Sequence, residues 1–103
     1  MQFKVLQIDA MDQNGGAYTA RLETTFKGSL GYKAEHMQYY KPVCNIDAED
    51  LDAVFKIGNI GPEEKIVRLD RMHSVSVGDI IEDPTGEFHM VDDFGFNKIQ
   101  VKG

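Results

Sequence analysis

The sequence predicts an α+β fold: an antiparallel, strongly curved sheet of five to six short strands, up to a partial barrel, with one main helix over about residues 48–58 packed on one face. Three observations predict it. Short runs of β-forming residues recur between turn signals along the chain, and one stretch, from Asp47 to Asn59, has capped helical periodicity. The 42% apolar and 27% charged residues are ordinary globular values. A chain of 103 residues buries about two-thirds of its unfolded surface, enough for one core and a single domain over 1–103.

Taken in order, Phe3, Val5, Leu6 and Ile8 make a first strand with the partial alternation of a half-buried sheet. Asp12 to Gly16 is a turn, because Asn and Gly tolerate positive φ. Tyr18, Ala20, Leu22, Thr24 and Phe26 recur in period two and predict a second strand in a hairpin with the first. Gly28 to His36 reads as a loop and Met37 to Ile46 as a third strand, where Pro42, which cannot donate to a ladder, sets an edge or a break. Asp47 is the expected N-cap of the helix, Gly58-Asn59 its stop, and Leu51, Val54 and Phe55 its buried face. Gly61-Pro62 with Glu63 and Glu64 is a turn or short helical start, followed by a brief strand at Ile66 to Leu69. Val77 to Glu82, the Asp83-Pro-Thr-Gly86 turn and Phe88 to Asp92 form a second hairpin, and Phe96 to Val101 closes the sheet.

The net charge of −6, from 17 acids against 11 scattered bases, disfavours direct binding to nucleic acid or an anionic membrane. It leaves open a basic protein surface, including one that normally holds DNA. The single cysteine, Cys44, has no partner for an internal disulfide. The start MQFKVLQID is a strand pattern rather than a signal peptide, and no apolar run approaches the roughly 18 residues of a spanning helix, so a cytoplasmic location is expected.

From Asp47 onward three segments carry a resemblance. The first is the helix with Leu51, Val54 and Phe55, then Asn59-Ile60 and Pro62. The second is His73-Ser74-Val75-Ser76-Val77-Gly78-Asp79-Ile80-Ile81, similar to an S-L-S-V-x-D-V-V pattern. The third is Val91-Asp92-Asp93-Phe94-Gly95-Phe96, similar to Y-x-V-D-S-F-G-F. Together they resemble the YodL-like domain of plasmid and phage polyvalent proteins, over about residues 47–101. This chain departs from the pattern with Val75 for Leu, Met72-His73 where glycine and a basic residue are common, and Asp93 for Ser. The resemblance implies a protein of a mobile genetic element and names no activity.

Ser74, Ser76 and Asp79 place two hydroxyls and a carboxylate within six residues, either a polar pocket with His73 or a turn in which a serine caps and Asp79 accepts backbone N–H bonds. Phe94-Gly95-Phe96 is either a binding knob or core, and the usual burial of Phe favours core. Asp92 and Asp93 beside it complete the candidate binding set. Asp47, Glu49, Asp50, Asp52, Glu63 and Glu64 form a candidate acidic surface, read either as a mimic of DNA phosphates or as ordinary helix-dipole placement and solvation. His36, His73, His89 and Cys44 lack metal-site spacing, and His89, flanked by Phe88 and Met90, is expected at the surface. No phosphate-binding glycine pattern, catalytic spacing or cofactor motif is present. The expected function is a non-enzymatic interaction protein, monomer or homodimer, that binds a host protein and blunts a defence such as CRISPR or restriction. The alternative is a small-ligand or nucleotide-binding module built on Ser74 to Asp79.

Overall fold

The computed structural model describes residues 1–12 and 14–101. In chain order it consists of β1 (Gln2–Ile8), α1 (Gly15–Lys27), β2 (Tyr40–Asp47), α2 (Leu51–Ile60), β3 (Ile66–Arg68), β4 (Ile80–Glu82), β5 (Phe88–Val91) and β6 (Phe96–Ile99). The strands form one six-stranded sheet in the order β3-β2-β1-β4-β5-β6, with every pairing antiparallel. The α+β class and the antiparallel sheet are as the sequence predicts. The strong curvature and partial barrel are not: the sheet curls only weakly, and β3 and β6 remain free edges. Closure needs long, tilted, staggered strands. A three-residue strand such as β3 or β4 spans only about 10 Å and cannot supply them.

Because successive strand residues point to opposite faces, β1 feeds two cores. Phe3 and Val5 join Ile46, Ile81 and Val91 under Val54 and Ile57 of α2. Leu6 and Ile8 join Tyr40, Ile80 and Met90 under Ala17 and Ala20 of α1. One helix was predicted and two form, one for each face.

The helix that the sequence reading missed is α1, where a second strand over Tyr18 to Phe26 was expected; the hairpin with β1 does not form. The cause is an ambiguity of spacing. Tyr18, Leu22 and Phe26 alternate as strand residues would, but they also stand four apart, one helical stripe. Asn14 decides the outcome locally: its side chain accepts the N–H groups of Gly16 and Ala17 at 2.8 and 3.4 Å, a helix N-cap. The expected turn at Asp12 to Gly16 includes Gln13, which lies outside the described residues.

The third strand begins at Tyr40 rather than Met37, since Ala34–Tyr39 is a 3₁₀ turn. Pro42 sits beside a register shift: Val5 faces Cys44 and Leu6 faces Pro42, leaving Val43 as the extra residue, whose carbonyl accepts the N–H groups of Leu69 and Asp70. β3 pairs only with Cys44 to Ile46, so Pro42 lies where no β3 neighbour needs its missing N–H.

Helix α2 starts three residues and ends two residues later than predicted. Asp50, not Asp47, is the N-cap, accepting the Ala53 N–H at 2.8 Å, and Gly61 follows the last turn. Gly58 lies inside the helix, and a Cβ there would lie 2.4 Å from Cγ2 of Val75, so the missing side chain admits the 73–79 loop. The buried face is Val54 and Ile57, with Leu51 half-buried; Phe55, predicted in the core, is 38% exposed. Ile57, three residues beyond Val54, continues the inward stripe, and Phe55 falls toward solvent.

Candidate functional site

Four of the predicted site residues, His73, Ser74, Ser76 and Asp79, line one cleft of about 390 Å³. Opposite them stand Arg21, Thr24 and Thr25 of α1, with Ile8 and Tyr40 at the floor. The loop is held tightly in place. Gly78 has φ 95°, a conformation that favours glycine, and a Cβ there would meet the Thr24 backbone at 2.9 Å. Its N–H donates to the Val91 carbonyl at 2.9 Å, and its carbonyl accepts the Tyr40 hydroxyl, whose oxygen is also 3.3 Å from Thr24 Oγ1. Burial pushes the Tyr40 phenol well above its ordinary pKa, which keeps it a donor.

From the sheet, Gln7 grips the same loop. Its Nε2 donates to the His73 carbonyl at 2.9 Å and to Asp79 Oδ2 at 3.0 Å, while its Oε1 accepts the His73 N–H at 3.1 Å. Asp79 Oδ2 also accepts the Ser76 N–H at 2.9 Å, so the carboxylate itself caps the turn. The serine hydroxyls do not: neither makes a hydrogen bond among the described residues, which also means that no Ser–His pair is formed. Asp79 is only 5% exposed. Burial pushes its carboxyl up to about 6, outweighing the Ser76 hydrogen bond, the nearby His73 and Arg21 charges and the Gln7 hydrogen bond, all of which lower it. His73 Nδ1 lies 4.0 Å from Asp79 Oδ2 and 2.8 Å from the Ser74 carbonyl.

Asp92 is part of a separate clamp. It accepts the Ser29 N–H and hydroxyl, each at 2.7 Å, and the Asn97 amide. Burial alone would raise its pKa, but the hydrogen bonds from Asn97 and Ser29 hold it below the usual carboxylate value. This clamp ties the end of α1 to the β5–β6 turn, and both segments it joins carry exposed apolar residues. Phe26 is 77% exposed, Leu30 93% and Phe94 98%. Phe94 therefore does not pack under the sheet. Gly95 does take positive φ, 86°, but the bend turns only Phe96 inward, half-buried against the α2 core, and sends Phe94 into solvent beside exposed Asp93.

The stripe continues along α1. Its inward positions are the small residues Ala17, Ala20 and Thr24, while Tyr18 and Phe26 face outward with Leu22 half-buried between them. Small inward residues let the helix sit close to the sheet; they do not explain large apolar residues on the outside.

The candidate acidic residues fall into two groups. Asp47, Glu49, Asp50 and Asp52 surround the start of α2, and Glu63 and Glu64 lie beyond its other end, about 15 Å away by helix rise. Asp47 meets the N-terminal ammonium at 3.0 Å, Asp50 caps the helix, and Glu63 pairs with Arg68 at 2.5 Å. His89 is not the surface residue predicted: it is largely buried, with Nε2 2.8 Å from Asp83 Oδ2, in a strand flanked on both sides by β4 and β6. Cys44 is buried, and burial pushes its thiol up to about 11.

Arg21, Thr25, Tyr40 and Gln7 were missed as site residues. The first two were hidden by the strand reading of α1. Gln7 had a signal: it continues the core-facing stripe Phe3, Val5, where a polar side chain needs a buried partner.

The fold and these two surfaces define a small α+β protein with a helix on each face of an open antiparallel sheet. No protein-family model matches the chain, and no curated protein or solved structure matches it. The YodL-like resemblance thus rests on the sequence motifs alone. Among the described residues, no helix is long and apolar enough to cross a membrane, and no group of three or more His, Cys, Asp or Glu is arranged to hold a metal ion.

Proposed function

We propose that this is a non-enzymatic interaction protein that binds a basic partner protein stoichiometrically through the outward apolar face of α1 and the adjoining Leu30 and Phe94. The observation that carries the reading is the inverted helix: small residues inward, Tyr18 and Phe26 outward. Each large apolar side chain left in water forgoes about 1.5–3 kcal/mol of burial, and exposed aromatic clusters of this kind anchor partner proteins. The net charge of −6 favours a basic surface around the partner's apolar pocket. In the mobile-element setting that the resemblance implies, a host defence protein with a DNA-holding groove has that chemistry, and counter-defence in the host cytoplasm is the role we assign.

The test is affinity capture from host lysate with the wild type and a Phe26→Asp/Phe94→Asp variant, followed by titration with the purified captured protein. The reading expects one-to-one binding that the variant loses while its circular dichroism is unchanged. Retention by the variant would refute it, as would a concentration-dependent dimer of the protein alone that the variant abolishes, since the occupant of the face would then be a second copy.

A second reading has its own observation. A carboxylate buried as deeply as Asp79, in a concave site with Arg21, His73 and free hydroxyls, is the arrangement of a small-ligand pocket.

A further inference from the structure

Resting on that second reading, we propose that the cleft binds a small zwitterion, its ammonium group on Asp79 and its oxyanion on Arg21 and the hydroxyl of Thr25.

Opposite charges that share a concavity ordinarily pair with each other, because an unpaired charge at reduced dielectric is costly. Asp79 and Arg21 both line this cleft and feel each other's field, yet they form no ion pair within 4.0 Å among the described residues. Each is held on a different wall. Arg21 belongs to α1, whose small inward residues fix its distance from the sheet, while Asp79 is anchored through Oδ2 by Ser76 and Gln7. Asp79 Oδ1 accepts no hydrogen bond among the described residues, the Arg21 guanidinium donates none, and the hydroxyls of Thr25, Ser74 and Ser76 make none. The free donors of α1, Arg21 and Thr25, therefore line one wall, and Oδ1 of Asp79, a free charged acceptor, lines the wall across from them, beside the hydroxyls of Ser74 and Ser76.

A simple anion would satisfy the donors but would be repelled by Asp79, and a simple cation would meet Asp79 but be repelled by Arg21. A molecule carrying both charges on a short spacer answers both walls at once. The cleft, at about 390 Å³, has room for an aminoalkyl phosphate or an amino acid. Tyr40 supplies no additional site for it, since its hydroxyl is committed to the Gly78 carbonyl.

The experiment is a set of titrations of ¹⁵N-labelled protein, followed by backbone amide shifts, with four probes: phosphoethanolamine, β-alanine, inorganic phosphate and ethanolamine. Phosphoethanolamine or β-alanine is expected to shift the amides of residues 21–25 and 73–79 and to bind about tenfold or more tighter than phosphate or ethanolamine. Whichever of the two binds tighter identifies the oxyanion as phosphate or carboxylate. Asp79→Asn is expected to reduce the affinity to that of the anion alone, and Arg21→Gln to that of ethanolamine, with unchanged circular dichroism. Phosphate binding as tightly as phosphoethanolamine would overturn the zwitterion while leaving a small-ligand cleft. No shift at residues 21–25 or 73–79 with any probe at about 10 mM would overturn the cleft reading as well.

Discussion

The two helices of this protein solve the same problem in opposite ways. α2 turns Val54 and Ile57 into the sheet and leaves Lys56, Asn59 and the acid of its first turn outside, together with Phe55 at 38% and Ile60 at 81% exposure. α1 turns alanines and a threonine inward and leaves Tyr18 and Phe26 in water. Burial of apolar area drives folding in both cases, but α1 contributes little of its own apolar surface to the core. The difference is what each helix puts inward: branched apolar side chains on α2, and on α1 small residues, with the proposed docking face on its outer side.

The largest expected effect that sharpens this contrast is in α2. Ile57→Ala removes a buried branched side chain from the core shared with Ile46, Ile81 and Val91, and should cost about 2–5 kcal/mol in chemical denaturation. A loss below about 1 kcal/mol would show that α2 is not a structural helix. Next comes the clamp that positions the exposed cluster: Asp92→Ala leaves the Ser29 N–H and the Asn97 amide without their acceptor and should cost about 1–3 kcal/mol.

The cleft gives a smaller change of opposite sign. With its folded pKa raised to about 6, Asp79 is best tolerated protonated. The stability associated with it is fully present below its unfolded value near 3.8 and is lost as pH rises through about 6. Asp79→Asn keeps an oxygen for Ser76 and Gln7 and removes the buried charge. It should therefore be more stable than the wild type at pH 8, by on the order of 1–2 kcal/mol, with the difference gone by about pH 4. Equal pH profiles for the two proteins would mean that Asp79 does not titrate in this range.

Smallest of all should be Phe26→Ala. Removing an outward ring from a helix and substituting the best helix former should leave the unfolding midpoint within about 0.5 kcal/mol of the wild type. A loss of 3 kcal/mol or more, the cost of a buried Phe→Ala, would place Phe26 in a core and dissolve the contrast between the helices.

How much of this was legible in the sequence follows the physics of each element. β1 and the second hairpin were readable because alternation and turn chemistry agreed there: Asp83 and Gly86 bracket a tight turn, and Asp83 accepts from Thr85 and Glu87. α1 was not, because a spacing of four is also a multiple of two, and the capping oxygen of Asn14 was masked by the two glycines that follow it. The start of α2 turned on which of two aspartates, Asp47 or Asp50, capped it, a choice settled by where β2 ends. The Ser74 to Asp79 segment was recognised as polar and bent, but its partners Gln7, Arg21 and Tyr40 come from three other elements, and only the tertiary fold brings them to it. For Phe94 and Phe96 a single glycine separates an exposed ring from a half-buried one, a distinction that composition does not carry.

The most direct test of the central claim is site-specific photo-crosslinking in the host cell, with a benzophenone side chain placed at Phe26 on α1 or at Phe55 on the exposed side of α2. A covalent adduct with one host protein is expected from position 26 and none from position 55. An adduct from position 55 alone, or a homodimer from position 26, would contradict it.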